Sequence, residues 1–406
     1  MSLAFGALLF LYVFGQQIDG WAFAVTGEEN WGAQVRGMWQ LMGNSLRPRV
    51  RLAEAERIRH AGVNPFGVNT FLEQEVELSK RERQVKMIAE AGFRWIRQEF
   101  PWYDIEIHAK GDFQDRRSET YREAWEKYDN IVELAGERNL QIIARLSSPP
   151  KWALDETHWE IGFGPPEVYA DFVDYVSAVA KRYRGQISYY QIWNEPNIYP
   201  EWGEEKISPE RYTELLCLAA SAIRVADPDA VILSAALAPT AALTDRDLND
   251  FIFLQRMYMA GAGECFDVMS VQGYGLWSGP TDRRMRPGSI NYGRNQYIRD
   301  IMVANGDSSK AIWISEMNWN AVPVETGLPA NYGRVSLEQQ SDWAALAYER
   351  ARVEWPWIGV VSLWYFKRAD ASEADQTWYY FRVLDPDFGK MPIYDGLKSY
   401  IRDNPY

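Results

Sequence analysis

Histidine and cysteine are nearly missing from this chain, three of one and two of the other in 406 residues. His60, His108 and His158 are scattered, which argues against a His-built zinc site, because such sites gather three or four ligands at recurring spacings. Cys217 and Cys265 have neither metal spacing nor the density of a disulfide scaffold, and they read as two buried thiols. A dense basic run is also lacking. The formal net charge of −13 is spread along the chain without an acidic tail, a balance that repels nucleic acid and anionic membranes. No apolar stretch reaches the ~20 residues that a spanning helix needs. The nearest is "LAFGALLFLYVF" at 3–14, followed by "AFA" at 22–24, which resembles a cleavage site although no Lys or Arg precedes the run. It reads as a signal, a truncated anchor with membrane attachment, or a packed segment. Export or anchoring is the expectation and a cytoplasmic location the alternative.

What the chain has is apolar and aromatic residues, 47% and 14% of the total, with 18 Trp and 23 Tyr. That is globular composition, enough for one large core or two modest ones. Residues 1–60 form an N-terminal hydrophobic segment and helical extension, and 61–406 the main domain. Within that domain short apolar stretches rich in Val, Ile, Tyr and Phe recur at 64–72, 95–100, 140–147, 187–193, 230–238, 267–274, 311–318 and 359–366. Such runs suit parallel strands buried on both faces. Helical patterns separate them. In 168–183 the residues Val168, Phe172, Val176, Val179 and Tyr183 recur at three- and four-residue steps and leave Asp171, Asp174, Lys181 and Arg182 for solvent. Ser79 with Glu82 and Ser336 with Gln339 have capping-box spacing, and Ser208–Pro209 reads as an N-cap with proline at the first helical position.

Eight strands alternating with about eight helices fit a closed (β/α)8 barrel, with a doubly wound open sheet as the alternative. The connections favour the barrel. Helix-to-strand turns are brief, whereas the strand-to-helix loops 101–120, 148–165, 196–207, 275–290, 319–335 and 367–393 are long. In a parallel barrel those loops gather at the C-terminal rim of the strands, so the working face is expected there.

Two carboxylates stand at that rim. Glu195 follows the fourth strand in "QIWNEPN" and Glu316 lies on the seventh in "AIWISEMNWN". In a ring of eight, strands four and seven face each other across the mouth. Strict alternation puts Ile312, Ile314 and Glu316 on one pleat face, with the two isoleucines as core layers beneath Glu316. It also sends Asn194 and Glu195 to opposite faces, so the fourth strand must end or bulge there, and Pro196 is the residue expected to end it. Carboxylates among apolar residues are costly unless paired. Two in an aromatic-lined cleft match glycosidic bond cleavage, one as nucleophile and the other as acid and then base. Arg97 in "WIRQEFPW" could keep Glu316 ionised.

At this point the chain resembles a known group. "WNEPN" and "SEMNW" resemble the paired signatures of the clan A retaining glycoside hydrolases, and the stretch "FGVNTFLEQEVELSKRERQVKMIAEAGFRWIRQEFPW" is most similar to family 39 and its cellulase-like relatives. The likeness spans roughly residues 64–400. It implies that Glu195 is the acid/base and Glu316 the nucleophile, with Asn194 on the sugar 2-hydroxyl. It further implies that Arg97 lies near the nucleophile, Tyr274 touches it, and Trp364 forms a platform under the sugar. The group often has His on strand six where this chain has Gln272, a departure that bears on the substrate more than on activity.

Trp152, Trp202, Trp277 and Trp319 lie on or near rim loops and could stack on sugars. The function expected is cleavage of an oligo- or polysaccharide without metal or cofactor. A non-catalytic sugar-binding barrel in polysaccharide assembly or export, or a transglycosylase using the same residues, are the alternatives. A metal-dependent hydrolase lacks ligands.

Overall fold

The computed structural model describes residues 20–46 apart from 24 and 29, then 57–118 and 121–406, so the apolar run 3–14 and the last residue of 22–24 lie outside the described residues. Eight parallel strands build the main sheet: β1 Phe66–Thr70, β2 Trp95–Pro101, β3 Gln141–Ser147, β4 Tyr189–Ile192, β5 Val231–Leu233, β6 Met269–Gln272, β7 Ile312–Met317 and β8 Ile358–Leu363. Their order is β5-β4-β3-β2-β1-β8-β7-β6. The two ends of that order meet through parallel bridges, Leu233 with Val268 and Leu237 with Val271. The ring therefore comes round on itself, and the fold is a (β/α)8 barrel rather than an open sheet.

Each strand is followed by a helix: α1 Leu78–Ala91, α2 Glu126–Glu137, α3 Tyr169–Arg182, α4 Pro209–Ala226, α5 Asp250–Met259, α6 Asn295–Ala304, α7 Leu337–Glu354 and α8 Pro392–Asp403. The sequence shows why. In α3, Phe172, Tyr175, Val176, Val179 and Ala180 line one buried stripe. Val168, expected on that stripe, is instead the exposed N-cap residue. Ser336 and Gln339 form a full capping box at the start of α7. Ser208 accepts from the Arg211 N–H at 3.3 Å, with Pro209 opening α4. The Ser79–Glu82 pair does not cap: α1 begins two residues earlier than that cap would set, with Glu77 at the N-cap, so Ser79 already lies inside the first turn.

The barrel interior is filled in layers. Its floor is aromatic: Trp95 of β2, Tyr189 of β4 and Trp313 of β7 meet at centroid separations of 5.0 Å. Ile143, Leu233, Val268, Ala311 and Val360 complete this cluster. The Trp313 indole donates to the His60 carbonyl at 2.8 Å, which closes the bottom of the ring. Gly359 on β8 must be glycine, because a Cβ there would stand 2.1 Å from Trp313 Nε1.

This arrangement corrects the expected face of β7. Trp313 and Ser315 face the interior, while Ile312 and Ile314 join the core shared with the helices. The cause is a bulge. Val271 pairs with Ile314, but the next β6 residue, Gln272, pairs with Glu316, two residues further along β7. The extra residue reverses the alternation and turns Glu316 inward.

The two cysteines also differ from expectation. Cys217 on α4 and Cys265, just after the 3-10 turn Ala262–Glu264, form a disulfide with Cα atoms 4.8 Å apart. A separation of 48 residues carries no sign of this pairing, which arises because α4 and α5 are neighbours on the outside of the barrel. Closing a loop of that length removes about 4 kcal/mol of unfolded-chain entropy in the loop model. Replacing both cysteines with serine should lower stability by roughly 2–4 kcal/mol in urea unfolding. The unreduced, denatured protein should take up no iodoacetamide by mass. Two adducts would show that the thiols are free.

Candidate active site

Arg97 is the centre of the polar layer above the aromatic floor. It lies on β2 one pleat above Trp95, and its side chain is almost completely buried. Every face of the guanidinium is used. Nε donates to Gln191 Oε1 at 2.6 Å, Nη1 to Asn69 Oδ1 at 2.8 Å and to Glu316 Oε1 at 2.7 Å, and Nη2 to Asn194 Oδ1 at 2.8 Å. Asn69 and Gln191 are in turn pinned to β7, through the Ser315 carbonyl at 2.8 Å and the Ser315 hydroxyl at 3.0 Å. Charge-assisted hydrogen bonds of this kind are the stronger class. They lock one conformation of the mouth across strands β1, β2, β4 and β7.

Glu316 is held from both sides. One oxygen receives Arg97, and the other receives the Tyr274 hydroxyl at 2.7 Å. Burial first, and then the charge of Glu316, drive the Tyr274 phenol well above its usual range, so it stays a donor. Glu195 is held differently. Its Oε1 accepts only from the uncharged Gln272 Nε2, at 2.8 Å, and no cation pairs with it among the described residues. Burial pushes its pKa up, with Glu316 and then Glu201 adding to the rise, to about 8. The pair is thus asymmetric: one carboxylate sits on a guanidinium, and the other is a carboxyl that keeps its proton at neutral pH.

The strand end that aims Glu195 is earlier than expected. β4 stops at Ile192, and Trp193 and Glu195 have positive φ values of 75° and 37°. Left-handed backbone in non-glycine residues is uncommon and concentrates at functional sites. It breaks the alternation, so Asn194 and Glu195 both reach the mouth. The Glu195 N–H still binds the Ala236 carbonyl at 3.0 Å, tying the turn to the residues after β5. Pro196 follows the break rather than making it.

Three further rim carboxyls carry no motif in the sequence. Glu201 accepts from Asn194 Nδ2 at 3.1 Å, and burial raises it to about 7 against the pull of Arg145. Glu99 pairs with Arg145 and accepts from Ser147 and Ser148 at 2.9 and 2.6 Å. Burial pushes Glu99 up, but Arg145 and the two serines outweigh it. Glu73 takes the Gln98 amide at 2.5 Å and is raised by burial to about 7. Asn69 and Gln191 did have a signal, a polar residue set within an apolar strand. Glu201 had none, because only the fold brings its loop over Asn194.

The sequence matches no protein-family model and no curated protein. Solved structures do match. A family 39 glycoside hydrolase from the gut symbiont Bacteroides cellulosilyticus superposes with a TM-score of 0.64 at 18% identity, covering 85% of this chain and 64% of that one. A family 5 enzyme from Streptomyces cattleya, solved in complex with Manβ1-4GlcNAc, gives 0.62 at 17% identity, covering 84% and 80%. A family 39 β-xylosidase from Caulobacter crescentus gives 0.58 at 16%, covering 86% and 72%. The chain shares the barrel fold of these glycoside hydrolases. This chain spans 64% of the length of the gut-symbiont family 39 enzyme.

In this barrel the aromatic residues divide into a wall and a core. Phe71, Tyr365 and Phe381 form a buried cluster, and Tyr274 and Trp364 lean on it half-buried. Trp364 meets Phe71 edge-on at 5.5 Å, and Tyr274 meets Phe381 at 5.7 Å, so both rings are fixed by packing, Tyr274 with its hydroxyl on Glu316. Trp277 is exposed on the β6–α6 loop.

Trp202 and Trp319, expected as stacking platforms, are fully buried. Trp202 lies between Trp193 and Tyr212, and Trp319 donates to the Ser278 carbonyl at 2.8 Å while packing on Trp343. Neither ring has a face open to a ligand. Trp152 is half-buried, packs edge-on against Trp102 at 5.4 Å and donates to the Glu106 carbonyl, so it props its loop.

Proposed function

We propose that this chain is a retaining β-glycosidase acting on an oligo- or polysaccharide, with Glu316 as nucleophile and Glu195 as acid/base. The observation that carries the reading is the asymmetry of the pair. Glu316 accepts from Arg97 and Tyr274, whereas Glu195 accepts from an amide and is raised to about 8. A carboxyl raised to about 8 is suited to give a proton, and the one held by a guanidinium and a phenol is suited to attack.

In the first step Glu316 attacks the anomeric carbon and forms a glycosyl ester, while Glu195 gives its proton to the departing glycosidic oxygen. Arg97 and Tyr274 orient the nucleophile, and they stabilise the charge that returns to Glu316 when the ester breaks. In the second step Glu195, now a carboxylate, takes a proton from water, whose oxygen displaces Glu316 and restores both groups. Asn194 is held between Arg97 and Glu201 at 2.8 and 3.1 Å, a placement that suits a hydrogen bond to the sugar 2-hydroxyl. Trp364 and Tyr274 supply the fixed aromatic surface against the ring. Trp277, exposed at the rim, is the one loop tryptophan of the expected set placed to meet a longer glycan.

A 2-deoxy-2-fluoro glycoside with an activated aryl leaving group tests this reading, because the fluorine slows both steps while the good leaving group keeps ester formation fast, so the ester accumulates. The expected result is one glycosyl adduct, mapped to the peptide containing Glu316. Label on another residue, or a first product of inverted configuration, would overturn it.

A further inference from the structure

The helix Trp31–Ser45 is mounted the wrong way round for a soluble protein. Its small and polar side faces the domain. Gln34 is buried with its amide on the Glu28 carbonyl at 3.0 Å, and Gly37 is so close to Thr26 that a Cβ would stand 2.9 Å from it. Its apolar side faces outward. Trp31, Val35, Trp39 and the C-cap Leu46 fall on one stripe of the helix, and all are exposed, Trp31 by 74% and Trp39 by 67%. Trp21, just before the helix, is exposed as well.

This face is held in place rather than free to fold back. Glu28 pairs with Arg284 at 2.5 Å, Arg284 is braced by Asp282 at 3.0 Å, and the Val25 carbonyl accepts from the Arg283 N–H at 3.3 Å. All three anchoring residues belong to the β6–α6 loop at the barrel rim.

We propose that this stripe is a membrane-interface face, lying in the headgroup region of a bilayer that carries anionic lipid. Tryptophan prefers that region, where its ring is apolar and its N–H is wet. An amphipathic helix binds there by burying its apolar side in the plane of the interface. Local charge agrees. The chain as a whole, at −13, repels anionic surfaces, but from Asn30 to Ala53 the sequence holds four arginines and no carboxylate, Arg36 among them on the helix itself, a local excess that favours anionic headgroups. The apolar run 3–14 precedes the stripe in the chain and adds a second attachment of the same chemistry. No helix among the described residues is long and apolar enough to cross a membrane, so this face lies on the bilayer and does not span it. Because the arm is fastened to a rim loop, the mouth of the barrel is carried at the membrane surface.

The test uses the full chain with vesicles of equal parts phosphatidylcholine and phosphatidylglycerol, and with phosphatidylcholine alone. Partition is read by flotation and by quenching of tryptophan emission with brominated acyl chains. Trp31→Gln combined with Trp39→Gln should lower partition into the anionic vesicles by at least about tenfold and remove part of the quenching, with the unfolding midpoint unchanged. Binding of the unsubstituted protein should weaken on phosphatidylcholine alone. Equal partition and quenching in the variant would overturn the proposal. So would self-association without lipid that the substitutions abolish, which would make a second copy the occupant. Hydrogen exchange over 31–45 that is already slow and unaffected by vesicles would assign the face to the chain's own 3–14 segment, and would overturn it too.

Discussion

Glu316→Gln should reduce kcat/KM on an aryl β-glycoside by at least about 10^4-fold, because the amide has no anion to offer the anomeric carbon. Glutamine keeps the shape and can still meet Tyr274 and Arg97, but it leaves the buried Arg97 without its counter-charge, so the unfolding midpoint should fall as well. Glu195→Gln should behave differently. It should cost about 10^2–10^4-fold on a glycan or alkyl glycoside, whose leaving oxygen must be protonated. The loss in the first step should shrink on a nitrophenyl glycoside, which leaves without a proton.

The pH profile separates the two roles further. The acid form of Glu195 is the active one in the first step, and burial raises its pKa to about 8. Activity of the unsubstituted protein should therefore fall as pH rises through about 8, since deprotonation removes the acid. That limb should vanish in Glu195→Gln. If either variant keeps a tenth of the original kcat/KM on a glycan, the glycosidase reading is wrong.

Arg97→Met should be the most destabilising single substitution at the mouth. The guanidinium serves Asn69, Gln191, Asn194 and Glu316 together, and the side chains of Arg97 and Glu316 are only 2% and 6% exposed. Removing one partner of a buried pair leaves the other charge without compensation, at a cost of about 3–5 kcal/mol. Urea unfolding should show that loss. Adding Glu316→Gln to Arg97→Met should restore part of it, because the unpaired charge is gone, and the two effects should be strongly non-additive. Strict additivity, or a loss below about 1 kcal/mol, would mean that Arg97 does not hold Glu316 as described. Activity cannot decide this, since both variants are expected to be inactive. The coupling in stability can.

Much of this architecture can be read from residue order. Six of the eight strands lie within the expected runs, and β2 and β8 each overrun theirs by one residue, because a strand buried on both faces must be continuously apolar. The long and short connections indicated which rim would hold the site. Glu195 and Glu316 stood out as carboxylates at strand ends, and the structure brings them together with Asn194, Arg97 and Tyr274. Other features were not legible. Pleat alternation assigned Ile312 and Ile314 to the barrel interior, but the bulge before Glu316 reverses the face, and a bulge of one residue has no composition. Trp202 and Trp319 look the same in sequence as Trp277. Only packing decides that the first two fill the core while the third meets solvent.

Composition and periodicity thus determined the barrel, the rim proposed to hold the site and the two candidate glutamates, because local apolar pattern and strand length are properties of short segments. The tertiary structure decided the rest: which oxygen meets Arg97, why Glu195 retains a proton, how Cys217 finds Cys265, and that the tryptophans of the helix Trp31–Ser45 face outward. Those features depend on distances between residues tens to hundreds of positions apart, and on burial that exists only once the ring has closed.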